Sequence, residues 1–354
     1  MRLFGPEDVD DLALGALFHG SGGGGDPYLP RQMLHAALDR HGPVRLVDAE
    51  ELDPDGLVLP VVTAGAPHSL IEKFHGTAEA AALRAALEAH AGRPVVGVLP
   101  IQLGPVNALM PLVVAAQLGL PCLDVDGMRR TFPKLEMTVF ALAGLPISPI
   151  ILVDSAGSSA VLTAADNNTV SSLLRSCLPS MGLVAMCSAY LLNVGQCAEI
   201  GSRQALTRCA ELGAVLRSVA PGPAENYAGF LERCDGRIIF SGVVHEVVQS
   251  LDGGFARGTL SLESTDGTRS LRIDFQSENL VATEDGVPVV TVPDLINLVD
   301  VDSGFLLQSP DVVVGQQVHV IASRVDPHWH TPAGHACAGP RAFGIDLDVV
   351  PVCA

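Results

Sequence analysis

Two apolar runs on either side of a helix-forming segment decide the fold: LVLPVV at residues 57–62, AEAAALRAALEAH at 78–90 and PVVGVL at 94–99. Continuous apolar runs of this length are typical of parallel strands that are covered on both faces. The segment between them is rich in alanine and leucine and ends at Gly92 and Pro94, as helices of high propensity do. The stretch therefore predicts a βαβ unit within an α/β domain.

The same alternation extends in both directions from this unit. Further strands are predicted at residues 44–47, 121–124, 150–153 and 184–191, and further helices at 8–18, 31–40, 107–118 and 204–219. We therefore predict a layered α/β domain with a mainly parallel sheet over residues 1–235.

The pattern changes near Cys234. Residues 237–325 contain short alternating runs separated by Asp-Gly and Gly-Gly turns, which is typical of antiparallel hairpins. They predict a second, smaller domain over residues 236–325, either a β-barrel domain or a sandwich. The tail at 326–354 ends in a strand-like run and is predicted to complete the first domain.

Composition narrows the classes of function. The 354 residues are 48% hydrophobic and 17% charged, so the chain has ample material for a globular core. The net charge of −18 would repel phosphates, which argues against nucleic acid or an anionic membrane as a partner. A small-molecule substrate is the expected ligand, and at this size a homo-oligomer is expected.

Several features predict a cytoplasmic protein. The first residues, MRLFGPEDVDD, are acidic where a signal peptide needs an apolar segment, and no apolar run is long enough to cross a bilayer. The eight cysteines form no CxxC pair, which favours reduced thiols that pack as small hydrophobic groups.

The sharpest local motif is HGSGGGGDPY at residues 19–28. Glycines let a ligand approach the backbone, and successive amides can form a nest for an anion. The motif is neither a dinucleotide fingerprint nor a Walker loop, so no nucleotide cofactor is expected. A flexible linker is the alternative. The candidate substrate-binding residues here are Ser21, Gly22, Gly23, Gly24, Gly25 and Asp26.

Three predicted strand-to-helix junctions place polar residues where open α/β sheets bind ligands, at residues 63–67, 100–107 and 124–133. In the third, Asp124 and Asp126 share a face, where they can hold a divalent cation or act as an acid or base. Arg130 can balance them or clamp a substrate carboxylate. For Asp126, an Asx-turn with a helix cap is the alternative.

The first two junctions add Glu72 and Asn107 as candidates. No GxSxG elbow supports Ser/His/Asp catalysis. His328, His330 and His335 leave two alternatives, a zinc site or an ordinary loop. We expect Gly23 and Asp126 to line one shared cavity at the carboxyl ends of the strands.

Long motifs that run nearly end to end resemble the S-methyl-thiohydantoin desulfurase-like family, which is associated with hydantoinase/oxoprolinase gene clusters. These motifs are GSGGGGDPY, GLPCLDVDGMRRTFPKLEM, DGRIIFSGVV, GGFARGTLSLE, IDFQSENLVA, TVPDLINLVDVDSG and GPRAFGIDLD. The resemblance implies an α/β domain and a β-barrel domain, and hydrolytic removal of a methylthio group from a five-membered thiohydantoin ring. Our first hypothesis is therefore a hydrolase that cleaves a C–S or a C–N bond of a hydantoin-like heterocycle.

For that reaction we assign the amides of Gly22 to Gly25 to anion or ring contacts. Asp124, Asp126 and Glu72 are candidates for general base or metal ligand, and Asn107 and Arg130 for orienting the substrate. No spacing in the sequence decides whether these carboxylates bind a divalent metal ion.

The chain departs from the family pattern where Gln102 stands in place of an acidic residue and where SEN at 277–279 stands in place of NEN. An amide cannot serve as a base. Two alternatives to a hydrolase therefore stand: a non-catalytic partner subunit of a hydantoinase/oxoprolinase-type enzyme, or a small-molecule binding protein that has lost activity.

Overall fold

A computed structural model describes residues 2–65, 67–252 and 255–352. The chain divides into two compact units, and both are discontinuous in sequence. Unit 1 comprises Met1–Ala13, Gly25–Arg129 and Lys134–Ala210, and unit 2 comprises Leu14–Gly24, Arg130–Pro133 and Glu211–Ala354. Within the described residues, no helix is long and apolar enough to cross a membrane.

Helices and strands alternate over the first two thirds of the chain, and strands dominate afterwards. The helices are α1 (Val9–Gly20), α2 (Tyr28–His41), α3 (Pro67–Glu72), α4 (Ala78–Ala91), α5 (Met110–Leu118), α6 (Val139–Leu142), α7 (Asn167–Cys177), α8 (Val194–Ile200), α9 (Ala205–Arg217), α10 (Ala228–Arg233) and α11 (Pro332–Ala338). The strands are β1 (Arg2–Phe4), β2 (Val44–Val47), β3 (Leu57–Gly65), β4 (Val95–Pro100), β5 (Cys122–Leu123), β6 (Val125–Asp126), β7 (Ile150–Val153), β8 (Ser159–Leu162), β9 (Val184–Ala189), β10 (Ser202–Arg203), β11 (Gly236–Asp252), β12 (Phe255–Ser264), β13 (Ser270–Gln276), β14 (Glu278–Glu284), β15 (Val287–Thr291), β16 (Leu295–Asp300), β17 (Leu306–Leu307) and β18 (Gln317–Ser323).

Unit 1 is built on an eight-stranded sheet in the order β1-β2-β5-β4-β3-β9-β7-β8. The pairs from β2 to β3 are parallel, whereas β1, β9, β7 and β8 pair antiparallel with their neighbours. The α/β class is confirmed, but the sheet is mixed rather than mainly parallel. The reason is that the second half of this unit adds strands beside β3 in alternating directions, without a crossover helix between each pair.

The first six residues of β3 are all buried, as the apolar run predicted, and α5 packs on the parallel strands. The helix is itself buried over seven residues because it lies between the sheet and α2. The polar residues that follow β3 and β4 therefore emerge from the buried centre of unit 1.

Unit 2 carries a second eight-stranded sheet, in the order β15-β14-β13-β12-β11-β18-β16-β17, and all its described pairings are antiparallel. The sheet curls back on itself. This is seen where the side chain of Asn279 in β14, the second strand in the order, donates a hydrogen bond to the carbonyl of Ile296 in β16, the seventh strand. Its end strands β15 and β17 are not joined among the described residues. A separate antiparallel sheet is thus present, while the predicted closed barrel stays unconfirmed.

The domain boundaries at residues 235 and 325 stay a prediction, and the two units are discontinuous in sequence. Residues 14–24 and 130–133 group with unit 2, as does the tail, which was expected to complete the first domain. One cause is that Phe18 packs edge-on against Phe230 at a centroid distance of 5.2 Å, in an apolar cluster of unit 2. Ala66 of the first predicted junction and Gly253-Gly254 of a predicted turn lie outside the described residues.

Candidate functional site

The glycine loop of unit 2 packs directly on the strands of the second sheet. The Ser21 hydroxyl accepts a 2.9 Å hydrogen bond from the backbone N–H of Ile296 and donates a 3.1 Å hydrogen bond to the carbonyl of the same residue. The Ser21 carbonyl accepts a 2.7 Å hydrogen bond from the N–H of Asn279, whose side-chain oxygen in turn accepts one from Ser309. The loop is therefore held in place by buried hydrogen bonds, and is not the flexible linker of the alternative interpretation.

Glu278 begins β14 beside this loop, and it is 2% exposed. It fills the space next to Gly23, because a Cβ added there would lie 3.0 Å from the Glu278 Cγ. Burial raises the pKa of Glu278 to about 8, and the positive charge of Arg130 opposes that rise only in part. The carboxyl group is thus protonated at neutral pH and is able to donate a proton.

Arg130 is fully buried near this acid. Its Nη1 donates hydrogen bonds to the backbone carbonyls of Pro293 and Asp294, and its guanidinium lies 4.5 Å from the centre of the Phe132 ring. Burial lowers the pKa of Arg130 to about 10, and the charges of Glu278 and Asp294 raise it again in part. Arg130 therefore stays a cation at neutral pH.

Glu278 and Arg130 each have one side-chain atom without a hydrogen-bond partner in the described part of the protein. These atoms are Oε2 of Glu278 and Nη2 of Arg130, and both are buried. Leaving a buried polar atom unsatisfied costs about 1–3 kcal/mol, and more for a charged group. Such atoms are typical of sites that bind a ligand or water.

A histidine–aspartate pair adjoins Arg130. Asp294, whose carbonyl Arg130 binds, accepts a 2.8 Å hydrogen bond from Nε2 of His330 when that nitrogen carries the proton. Asp294 also accepts from the backbone N–H groups of Val325 and Val352, so its carboxylate is held firmly. The His330 side chain is 15% exposed and can reach solvent. This geometry leaves Nδ1 as an acceptor for a proton.

Together these groups bring an acid, a cation and an imidazole into one unit of the chain. A protonated carboxyl group can serve as the acid, an oriented imidazole as the base and a buried guanidinium as the stabiliser of negative charge. We refer to Arg130, Glu278, Asp294 and His330 as the Arg130 cluster.

The two predicted catalytic aspartates lie in unit 1. Asp124 follows β5 and accepts hydrogen bonds at the start of α9, from the N–H groups of Leu206 and Thr207 and from the Thr207 hydroxyl. Asp126 accepts at 2.9 and 2.6 Å from the N–H groups of Met128 and Arg129, which is the Asx-turn of the alternative interpretation. Both carboxylates thus have structural partners, and their catalytic roles stay predictions.

The remaining predicted residues are divided between the units. Asn107 of unit 1 is buried, and its amide binds the backbone N–H and carbonyl of Thr63 at 2.7 and 3.3 Å. Glu72 and Asp26 are exposed. Gly25 also belongs to unit 1, whereas Ser21 to Gly24 and Arg130 belong to unit 2. A cavity shared by Gly23 and Asp126 therefore stays a prediction.

The cap role of Asp124 can be separated from a catalytic role. Asp124→Ala removes the acceptor for the first turn of α9, and we expect it to lower the free energy of unfolding by roughly 1–2 kcal/mol. Asp124→Asn keeps an acceptor oxygen and should retain most of that stability. Urea denaturation measures both variants. Equal stability of Asp124→Ala and the parent protein would contradict the cap.

No group of three or more His, Cys, Asp or Glu side chains is arranged to hold a metal ion in the described part of the chain. The ring centroids of His330 and His335 lie 5.9 Å apart, and Nε2 of His330 is hydrogen-bonded to the Asp294 carboxylate. A groove of about 220 Å³ in unit 2 is lined by other residues, including Val215, Val219 and Phe230.

The chain thus combines a mixed α/β unit with a second unit that carries a curled antiparallel sheet, a buried acid, a buried cation and a partly exposed histidine. Models of the S-Me-THD-like N-terminal domain and the S-Me-THD-like C-terminal domain match residues 7–164 and 165–352. The chain therefore belongs to the S-Me-THD-like family, as the sequence motifs indicated.

One solved structure is similar along the whole of both chains. It is the X-ray crystal structure of a protein from Chromobacterium violaceum, a structural genomics target, with a TM-score of 0.84 and 25% sequence identity. A search of curated proteins gives no match.

Sequence reasoning identified Arg130 but missed Glu278, Asp294 and His330 as site residues. Glu278 was visible only as part of the SEN segment, and His330 only as one of several histidines. The signal that singles out Glu278 is its burial, and the signal for Asp294 and His330 is the hydrogen bond that joins them across 36 residues of sequence.

Proposed function

We propose that this protein is a hydrolase that removes the methylthio group from an S-methylated thiohydantoin or a similar five-membered heterocycle. The observation that carries the proposal is the buried pair of Glu278 and Arg130, each with one polar atom left for a ligand. A neutral carboxyl group beside a cation suits a ring that has both an imine-type nitrogen and a carbonyl oxygen.

The roles follow from the charge each group carries at neutral pH. His330, oriented by Asp294, takes a proton from water as the water oxygen attacks the carbon that bears sulfur. Glu278 donates its proton to the ring nitrogen, and Arg130 stabilises the negative charge that develops on the ring carbonyl.

The intermediate then collapses. The carbon–sulfur bond breaks, and methanethiolate takes the proton held by His330. The hydroxyl group on the carbon becomes a carbonyl, and its proton returns to Glu278. One water and one substrate thus yield one hydantoin and one methanethiol, and both catalytic groups regain their starting protonation.

The test is release of methanethiol from an S-methyl-thiohydantoin, followed with a thiol reagent. We expect turnover by the parent protein and a loss of roughly 100-fold or more in Glu278→Gln, because that variant cannot donate an acidic proton. Turnover should also fall above about pH 8, where Glu278 loses its proton.

Glu284→Gln is the matched control, since Glu284 lies on the same strand but pairs with Arg269 at a partly exposed position. It should keep full activity. Absence of methanethiol would contradict the proposal. Retention of a hydantoin without turnover would then favour the binding protein, and co-purification with a hydantoinase would favour the partner subunit.

A further inference from the structure

A second polar cluster lies in unit 1, at the carboxyl end of β3. Thr63 occupies the seventh position of this strand and is half-buried, whereas the six residues before it are buried. Its hydroxyl oxygen lies 3.4 Å from Nε2 of His75. Nδ1 of the same ring lies 3.8 Å from Oε1 of Glu79. A hydroxyl, an imidazole and a carboxylate thus follow one another in a line.

The carboxylate is held in its ionised form. Burial alone would raise the pKa of Glu79, but the facing His75 side chain and a hydrogen bond from the backbone N–H of Gly76 outweigh it and lower the pKa. Glu79 and His75 are each 3% exposed. A buried imidazole next to a buried carboxylate is oriented to accept a proton at its other nitrogen, which is the one that faces Thr63.

The backbone of Thr63 is fixed from the opposite direction. The Asn107 side chain donates to its carbonyl and accepts from its N–H, and so spans both backbone groups of this one residue. These two hydrogen bonds fix the backbone of Thr63, and so they hold its hydroxyl at the end of the strand, where a ligand can bind.

Ser188 adds an unsatisfied donor on the same face. Thr63 pairs with Met186 of β9, so Ser188 is its diagonal neighbour, and side chains two residues apart point to one face of the sheet. The Ser188 hydroxyl is 1% exposed and has no hydrogen-bond partner in the portion of the chain that the structure describes. A buried hydroxyl without a partner is available to a ligand oxygen.

We propose that Thr63 is a second reactive centre, a nucleophile toward small acyl donors such as carboxylic esters. His75 acts as its base, Glu79 positions His75, and Ser188 donates to the acyl oxygen. This inference goes beyond the hydrolysis proposed for the Arg130 cluster and uses none of its residues.

The reaction balances in two steps. The Thr63 oxygen bonds to the acyl carbon, its proton moves to His75, and the bond from that carbon to the leaving oxygen breaks. The leaving alcohol takes the proton from His75. Water, deprotonated by His75, then attacks the acyl-threonine to release a carboxylic acid and restore the hydroxyl group.

The experiment treats the full-length protein with p-nitrophenyl acetate, and follows p-nitrophenolate release and the site of acetylation by peptide mass spectrometry. We expect a burst that approaches one equivalent and an acetyl group on Thr63. Thr63→Val should abolish that burst, Thr63→Ser should retain it, and His75→Gln should slow it by roughly 100-fold.

The positioning role of Glu79 is tested by the rate of the burst and by its amplitude, because a purely structural role would not separate the two. Glu79→Gln should lower the rate of the burst while its amplitude stays near one equivalent, and Glu79→Asp should restore part of the rate. Thr77→Ala is the matched control, because Thr77 is exposed in the same segment and makes no side-chain capping bond. It should behave as the parent protein does.

Acetylation confined to other residues would overturn the proposal. So would acetylation of Thr63 at the parent rate in His75→Gln, since the hydroxyl would then react without its base. Thr63→Ser and His75→Gln keep the test decisive even where Thr63→Val fails to fold.

Discussion

Gly22→Ala is expected to destabilise unit 2 strongly. Gly22 has a φ of +84°, and a Cβ there would lie 2.3 Å from the Ser309 hydroxyl and 2.6 Å from the Asn279 side-chain nitrogen. These two side chains are hydrogen-bonded to each other at 2.8 Å, so neither can move without breaking that bond. We expect a loss of about 3 kcal/mol or more in the free energy of unfolding, measured by urea denaturation.

Gly286→Ala isolates the cost of backbone conformation. Gly286 lies between β14 and β15 of the same unit, has a φ of +83° and has no atom within 4 Å of an added Cβ. This variant should lose only about 1 kcal/mol. Equal losses in the two variants would show that the packing of the loop on Asn279 and Ser309 adds nothing.

Glu278→Gln is expected to change how stability depends on pH. The native state keeps the Glu278 proton up to about pH 8, whereas the unfolded chain loses it near 4.5. Between these values the unfolded state releases the proton first, so deprotonation favours unfolding. The stability that the protonated form provides is complete below pH 4.5, falls as the pH rises and is lost above about pH 8.

Glutamine resembles the protonated acid but does not titrate. The difference in unfolding free energy between Glu278→Gln and the parent protein should therefore shift in favour of the variant by roughly 3–5 kcal/mol between pH 4 and pH 8.5. Urea denaturation at a series of pH values measures it, and other carboxyl groups cancel in the difference.

Glu284→Gln provides the comparison for this series, because Glu284 is partly exposed and paired with Arg269. Its difference curve measures the effect of removing a paired, partly exposed carboxylate from the same strand. A flat curve for Glu278→Gln would mean that Glu278 is ionised in the native state. The general acid of the proposed mechanism would then be lost.

Local pattern was sufficient where neighbouring residues decide the outcome. The predicted strands at residues 44–47 and 150–153 coincide with β2 and β7, and the helix at 78–90 with α4. Apolar periodicity and the Gly92 stop are properties of one short segment, so they can be read without knowledge of the rest of the chain. His75 and Glu79 also lie four residues apart, within reach of local reasoning.

The direction of added strands required more than periodicity. Strand β9 satisfies the same apolar pattern as a parallel strand does, yet it pairs antiparallel with β3. The pattern reports burial on both faces, and burial does not depend on strand direction. The mixed sheet was for this reason outside the reach of the sequence.

By itself, the sequence determined the α/β class, the separate strand-rich region and membership of the S-Me-THD-like family, because these depend on local pattern and on motifs in a fixed order. Only the tertiary structure decided that Arg130 lies beside Glu278, Asp294 and His330, which follow it by more than a hundred residues. The physical reason is desolvation. An acid keeps its proton at neutral pH only where the fold has removed water from around it, and no stretch of sequence records which distant residues will do so.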